Sequence, residues 1–260
     1  MRDLRLRAAF DEVAEVYDRV RPNYPEELFD ALVQATRVDV RSKLLEIAPG
    51  TGQATLSLAR RGFDIAAIEI GARLADVARR NLSDFPSVRV FTNAFEEVQI
   101  SDAAFDLVYV ATAFHWISPD SRFSKPHRIL RPNGYFAIIT ASHISDGDDR
   151  FFEATQPLYR RFFPDPPGAP SFLLTRLDDL IPHELDEDLF QLVAFDCFPR
   201  TIVYSTEDYC ALLSTESDKL ALSPHDRSVF LGEMAKLINS AFNGVATRRY
   251  ANCLTVAKKV

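Results

Sequence analysis

The chain has 260 residues, 47% of them hydrophobic and 26% charged, which is ordinary for a folded domain and excludes a disordered or fibrous polypeptide. Thirty Lys and Arg against 37 Asp and Glu leave a net charge of -7. Binding along a nucleic-acid backbone or an anionic membrane needs positive charge opposite phosphate, so neither is expected as the main partner.

Met1–Arg7 carry charge but no apolar run follows them, and the stretches Leu107–Phe114 and Tyr135–Ala141 fall far short of the roughly 18 apolar residues of a membrane span. The expected location is the cytoplasm. Lys43–Ala48 reads as a buried strand running into a glycine turn, and Gln53–Arg61 as a helix stopped at Gly62. A second strand, Asp64–Ile70, precedes a helix over Ala72–Leu82 that puts Leu74, Val77, Ala78 and Leu82 on one face. Val88–Asn93, Phe105–Ala111 and Tyr135–Ala141 are the third, fourth and fifth strands. Strand–helix alternation of this kind implies a parallel sheet covered on both faces. Ser118-Pro119 reads as the cap and first position of a helix reaching about Leu130, kinked or shortened by Pro126.

The pattern changes after Ala141. Ser142–Asp188 is rich in aromatic residues and proline, among them Phe151, Phe152, Tyr159, Phe162, Phe163, Pro164, Pro166, Pro167, Pro170 and Phe172. A strand over Val193–Ser205, helices over Glu207–Leu213 and Pro224–Phe242, and a last strand over Tyr250–Lys258 follow. The expectation is one α/β domain over 1–260, with insertions at 142–189 and 206–245 folded over it as a cap. Cys197, Cys210 and Cys253 are odd in number and have no CxxC spacing, so they are expected to be reduced thiols. His127, His143, His183 and His225 are scattered without metal-ligand spacing, and no metal site is expected. Ser57, Ser118 and Ser142 sit in no nucleophile elbow. No sequence feature sets the oligomeric state.

The most informative stretch is Leu44-Leu45-Glu46-Ile47-Ala48-Pro49-Gly50-Thr51-Gly52-Gln53-Ala54-Thr55. Two glycines between a strand and a helix let backbone N–H groups approach a ligand, and the helix start adds partial positive charge. Glu69 ends the second strand, 19 positions after Gly50, where a carboxylate can accept from both ribose hydroxyls. Asn93 ends the third strand, within reach of an adenine edge. Glu46 ends the first strand, where a carboxylate can hold an ammonium. Three polar groups on successive strand ends mark the binding crevice of a doubly wound sheet. A dinucleotide fits less well: Thr55 stands where its fingerprint wants a small residue, and Glu46 would face a pyrophosphate.

Glu46-Ile-Ala48-Pro-Gly50-Thr-Gly52 resembles motif I of class I S-adenosylmethionine-dependent methyltransferases, with Ala48 in place of the first glycine. Phe105–Ala111 resembles motif IV, and Leu130-Arg131-Pro132-Asn133-Gly134-Tyr135 the LKPGG post-motif, with Asn133 for a glycine. Ala113-Phe114-His115-Trp116 and Tyr17-Asp18-x-x-Arg21-Pro22-x-Tyr24-Pro25 are similar to the small-molecule branch, methyltransferase type 11, as in trans-aconitate methyltransferase. The resemblance covers about residues 10–141 and the closing strand over 248–260. It implies a Rossmann-like, doubly wound seven-stranded sheet of order 3-2-1-4-5-7-6, its last strand antiparallel, with helical cap insertions. It also implies S-adenosyl-L-methionine as cofactor, with Ala48, Pro49, Gly50, Thr51 and Gly52 at the methionine end beside Glu46, and Glu69 with Ile70 at the ribose. Asn93, Ala94 and Phe95 would meet the adenine, while Ala111, Phe114 and Trp116 line the pocket and Tyr17 and Arg21 close it.

Methyl transfer from a sulfonium is an in-line displacement in which the protein mainly aligns the acceptor and excludes water. His115, after the fourth strand, is the candidate catalytic residue, as base or as an acceptor-orienting donor. Arg150, Arg160, Arg161 and Arg176 are candidates to clamp a carboxylate. The expected activity is methylation of a small organic acceptor at oxygen, possibly a carboxylate. A nicotinamide-dependent, NAD(P)-using oxidoreductase and a non-catalytic S-adenosylmethionine-binding protein are the alternatives.

Overall fold

The computed structural model describes residues 4–145, 148–164 and 174–260. Met1–Asp3 of the charged N-terminus, and Pro166, Pro167, Pro170 and Phe172 of the proline-rich stretch, lie outside the described residues.

Among the described residues eight strands form the sheet: β1 (Lys43–Ile47), β2 (Asp64–Glu69), β3 (Val88–Thr92), β4 (Phe105–Ala111), β5 (Leu130–Ser145), β6 (Thr175–Arg176), β7 (Phe190–Ser205) and β8 (Val245–Lys259). Their order is β3-β2-β1-β4-β5-β8-β7, with the two-residue β6 pairing with β5 off this path. Without β6 the order is the expected 3-2-1-4-5-7-6. The chain's last strand, β8, runs antiparallel to both β5 and β7, whereas β1 is parallel to β2 and β4. The apolar runs of β1, β2 and β4 are buried on both faces, as a covered parallel sheet requires.

The helices are α1 (Ala14–Val20), α2 (Glu26–Thr36), α3 (Gln53–Ala59), α4 (Ala72–Asn81), α5 (Ser124–Ile129), α6 (Arg150–Phe162), α7 (Thr206–Ser214), α8 (Ser217–Leu220) and α9 (Pro224–Ala241). Leu28, Phe29 and Leu32 of α2 pack with Leu58 of α3 and with Tyr109 and Ile139 of the sheet in one core. The other face buries Ile47, Val108, Phe114, Ile129, Phe136 and Phe190. A separate cluster joins α6, α7 and α9 around Phe230, Met234, Tyr209 and Leu213, with Val20 of α1 at its edge. The starts of α7 and α9 are fixed by Ser205 and Ser223, whose hydroxyls accept from the N–H groups of Asp208 and Asp226, and Pro224 takes the first turn of α9.

Two expectations are corrected. The helix expected from Ser118 begins only at Ser124 and ends at Ile129. Pro126 is its third residue, within the first turn, where no intrahelical donor is needed. A start at Ser118 would have put that proline in the interior. The cysteines are not all thiols: Cys197 and Cys253 form a disulfide, while Cys210 is free. The register of β7 on β8 sets those two residues directly opposite each other, a proximity that no local spacing rule detects.

Candidate active site

β1 ends in a turn whose backbone is unusual at three of five positions. Ala48, Gly50 and Gly52 all have positive φ, of 53°, 60° and 94°. A Cβ at Gly52 would stand 3.0 Å from Leu82, so the turn packs directly on the end of α4. Ala48 tolerates a left-handed conformation that glycine adopts more readily. Asn81 donates to the Thr51 carbonyl at 3.0 Å and to Asp18 at 2.8 Å, tying the turn to α1.

Two carboxylates flank the turn and both are buried. Glu69 accepts from the N–H of Gly50 on one oxygen and from that of Gly71 on the other, each at 2.9 Å. Burial raises its pKa, against the pull of the Gly71, Gly50 and Ile70 N–H groups. Glu46 is only 1% exposed. One of its oxygens accepts from the Thr55 hydroxyl at 2.5 Å and from the Tyr109 hydroxyl at 2.7 Å. The other, Oε1, is buried without a hydrogen-bond partner. Burial pushes the Glu46 carboxyl up to about 7, with the charge of Glu69 adding and the Thr55 and Tyr109 hydrogen bonds opposing. A buried acceptor left unsatisfied carries a desolvation cost that a donor or cation entering from the cavity would relieve.

These groups open on a cavity of about 1210 Å³, larger than the roughly 300–1,000 Å³ of a single-ligand pocket. It brings together Tyr17, Arg21, Glu46, Ala48, Pro49, Gly50, Glu69, Ile70, Asn93, Phe95, Ala111, Phe114, His115 and Trp116 of the residues named from sequence. Thr51, Gly52 and Ala94 are not in its wall. Thr51 and Gly52 hold the turn from behind. The N-terminal 3-10 segment Leu4–Val13 reaches the cavity through Phe10 and is tied to α4 by Asp11, which accepts from the N–H groups of Arg73 and Leu74 at 2.7 and 3.0 Å. That anchor places Phe10 edge-on against Trp116 and Tyr17. Arg21 lies over the Tyr17 ring and donates to the hydroxyl and carbonyl of Thr215 at 3.0 and 2.8 Å. His115 occupies a short turn, Phe114–Trp116, and is exposed on the cavity wall.

Sequence reasoning missed several wall residues. The hydroxyls of Tyr24 and Thr112 meet at 2.8 Å just beyond β4, and burial raises the Tyr24 pKa. Tyr24 lay in a quoted motif but had no role assigned; nothing in sequence singles out Thr112, whose φ is 53°. At the far end His143, Glu216, Lys219, Arg248 and Tyr250 line the same cavity. Of the arginines proposed as clamps, Arg150 and Arg160 reach the wall. Arg161 pairs with Glu233 on the surface, and Arg176 is exposed.

The sheet order and the glycine turn under a strand-end crevice define a Rossmann-like α/β fold. Residues 45–138 match the family model described as a methyltransferase domain. An uncharacterized methyltransferase of Mycobacterium tuberculosis is 33% identical over 138 residues, 53% of this chain and 53% of that protein, so the chain spans about half the length of these first curated relatives. An uncharacterized methyltransferase of Schizosaccharomyces pombe is 25% identical over 243 residues, 93% of this chain and 92% of that protein. Among solved structures, that of a putative type II methyltransferase from Anaeromyxobacter dehalogenans shares the fold, with a TM-score of 0.61 at 21% identity over 92% of this chain and 97% of that one. No helix among the described residues is long and apolar enough to cross a membrane.

Proposed function

We propose that the protein is an S-adenosylmethionine-dependent methyltransferase that methylates a small organic acid at oxygen in the cytoplasm. The observation that carries this reading is the buried, unpartnered Oε1 of Glu46 beside the glycine turn. A cationic ammonium satisfies that oxygen, whereas a pyrophosphate would face two carboxylates. The residues fit the cofactor in other respects. Each oxygen of Glu69 accepts one backbone N–H and keeps a lone pair for a ribose hydroxyl. Asn93 and the buried Phe95 line the same cavity and would meet the adenine. Bound there, S-adenosylmethionine supplies a methyl already activated on sulfur, with a neutral thioether as leaving group.

The chain's own contribution is alignment and shielding. Phe10, Tyr17 and Trp116 shut water out from the N-terminal side. Tyr24 and Thr112 present hydroxyls beyond β4. His115 takes the acceptor's proton when the acceptor is a hydroxyl. The helices of 142–189 and 206–245 serve as the acceptor-holding cap. Calorimetry with S-adenosylmethionine, S-adenosylhomocysteine and NAD(P) tests the assignment: the first two are expected to bind and the last not. Binding of the dinucleotide alone would overturn it.

A further inference from the structure

Asn252 is a polar residue in the interior of β8, where Ala141 of β5 and Phe198 of β7 stand opposite it. It is only 6% exposed. Its side-chain amide has no hydrogen-bond partner among the described residues, yet it is not one of the polar atoms sealed from solvent. The two facts are compatible because Asn252 lies in the wall of the cavity. A buried amide that no neighbouring side chain satisfies carries a desolvation cost, and a ligand in the cavity removes it.

Alternation along β8 puts Asn252 on the same face as Leu254 and Val256, which pack into the core with Leu28 and Leu32 of α2. Ala141 shares that face from β5. It is exposed although β8 pairs with it, so the cavity floor lies open above its methyl group. Just beyond β4 stand the hydroxyls of Tyr24 and Thr112, 2.8 Å apart. Two hydroxyls hold two protons and their mutual bond uses one, so one proton remains to donate. Only β5 separates β4 from β8, which makes about 10 Å between them at roughly 4.8 Å per strand. The floor thus has a hydroxyl donor at one edge and an amide at the other, with the length of a small ring between.

Much of the charge at the β8 end is taken up internally. Lys219 donates to Glu216 at 2.7 Å and to Asp218 at 2.8 Å, Arg248 pairs with Glu216 at 3.6 Å, and Arg150 donates to Asp148 at 2.8 Å. His143, beside the Tyr250 ring, is neutral, because burial and next the Arg248 charge hold it down at about 3. A ligand group that reaches Asn252 meets a neutral hydrogen-bonding partner rather than a spare charge.

We propose that Asn252 positions the methyl acceptor by pairing with an uncharged carboxamide, open or cyclic, remote from the reacting oxygen. Such a group accepts and donates in one plane, as the asparagine amide does. The proposal deepens the methyltransferase reading and rests on it for the reacting end. There the acid group of the acceptor lies on the β4 side, and the free proton of the Tyr24 and Thr112 pair is donated to one of its oxygens. The other oxygen forms the new C–O bond as the C–S bond breaks. The bonding pair stays on sulfur, and the positive and negative charges cancel with no proton released.

The test is calorimetric titration of 4-carbamoylbenzoate, 4-methylbenzoate and terephthalate into the protein, with and without S-adenosylhomocysteine. 4-Carbamoylbenzoate is expected to bind at least tenfold more tightly than 4-methylbenzoate. It should exceed terephthalate by as much, because a second carboxylate cannot donate to the Asn252 oxygen. Asn252→Ala is expected to abolish the preference over 4-methylbenzoate while S-adenosylhomocysteine binds as before. Asn252→Asp keeps the shape and, when ionised, lacks the N–H donor; it should reduce the preference likewise and serves where Asn252→Ala does not fold. Equal binding of the three acids, tighter binding of terephthalate, binding of none, or a preference that survives substitution overturns the proposal. Failure of S-adenosylhomocysteine to bind overturns the cofactor reading instead, and the titrations without nucleoside then decide the Asn252 contact by themselves.

Discussion

Thr55 Oγ1 donates to Glu46 Oε2 at 2.5 Å across the glycine turn, from the first helical turn of α3 back to the end of β1. The branched residue that argues against a dinucleotide fingerprint is thus part of the carboxylate's support, shared with Tyr109. Because Thr55 fixes one oxygen, Oε1 is the one left for a ligand.

Thr55→Val keeps the shape and removes the donor. It is expected to lower the unfolding free energy by about 1 kcal/mol and to weaken S-adenosylmethionine several-fold, because the carboxylate loses its orientation. Thr55→Ser keeps the donor and loses only a methyl group. Denaturant unfolding and calorimetry measure the two effects, and unchanged cofactor affinity in Thr55→Val would remove Thr55 from the site.

Glu46 makes stability and ligand binding depend on pH in opposite senses. Its carboxyl titrates near 7 in the fold, against an ordinary value of 4.5. Between those values the folded chain holds a proton that the unfolded chain has lost, so stability falls as pH rises from 4.5 to 7. Glu46→Gln removes this slope and is expected to stabilise the ligand-free protein at pH 8 by on the order of 2–3 kcal/mol. A cationic ligand favours the ionised carboxylate, so its binding releases a proton below pH 7 and its affinity increases up to that pH. Titrations in buffers of different ionisation enthalpy detect the proton. Glu46→Gln should show no release, together with a cofactor affinity at least tenfold lower.

Strands β1, β2 and β4 were legible because buried parallel strands read as continuous apolar runs. Gly50, Glu69 and Asn93 were legible because a strand-end crevice puts polar groups at predictable positions. The rest depends on contacts between residues distant in sequence. Asp11 caps α4 across 62 residues. Arg248 meets Glu216 only because β8 returns beside the helices that precede it. Cys197 and Cys253 are paired by strand register. The misplaced helix start before α5 has a local cause: Ser118-Pro119 has the right chemistry for a cap, and the position of Pro126 decides where the helix can begin.

Ala48 sits at φ 53° in a turn where its two glycine neighbours also have positive φ. Ala48→Gly relieves the strain of a Cβ in the left-handed region, which costs about 1–2 kcal/mol, less the entropy that glycine loses on folding. The expected net gain is small, with a Tm increase of about 2–4 °C per kcal/mol retained and cofactor affinity unchanged or higher. A lower Tm in a scanning calorimeter would mean that the alanine methyl packs usefully.

His115 is exposed on the cavity wall. His115→Gln is expected to lower turnover of a hydroxyl acceptor roughly 100-fold or more, with S-adenosylmethionine affinity unchanged. Steady-state rates with a carboxylate acceptor, which has no proton to lose, should fall far less. Equal losses on both acceptor types would assign His115 to orientation rather than proton transfer.

Arg21 joins the two ends of the cavity. Its guanidinium rests on Tyr17, whose ring lies 3.6 Å from where a Cβ on Gly50 would stand, and its two donors hold Thr215 between α7 and α8. Cofactor binding at the turn is therefore expected to order the segment that carries Glu216 and Lys219. Arg21→Lys cannot span both Thr215 oxygens with the same planar fork. It is expected to increase backbone hydrogen exchange over residues 206–220 and to weaken S-adenosylmethionine several-fold. Thr215→Ala, which removes only the hydroxyl, should give a smaller change in both readouts. Exchange that rises in Arg21→Lys without any change in cofactor affinity would show that the link is structural and carries no coupling between the two ends.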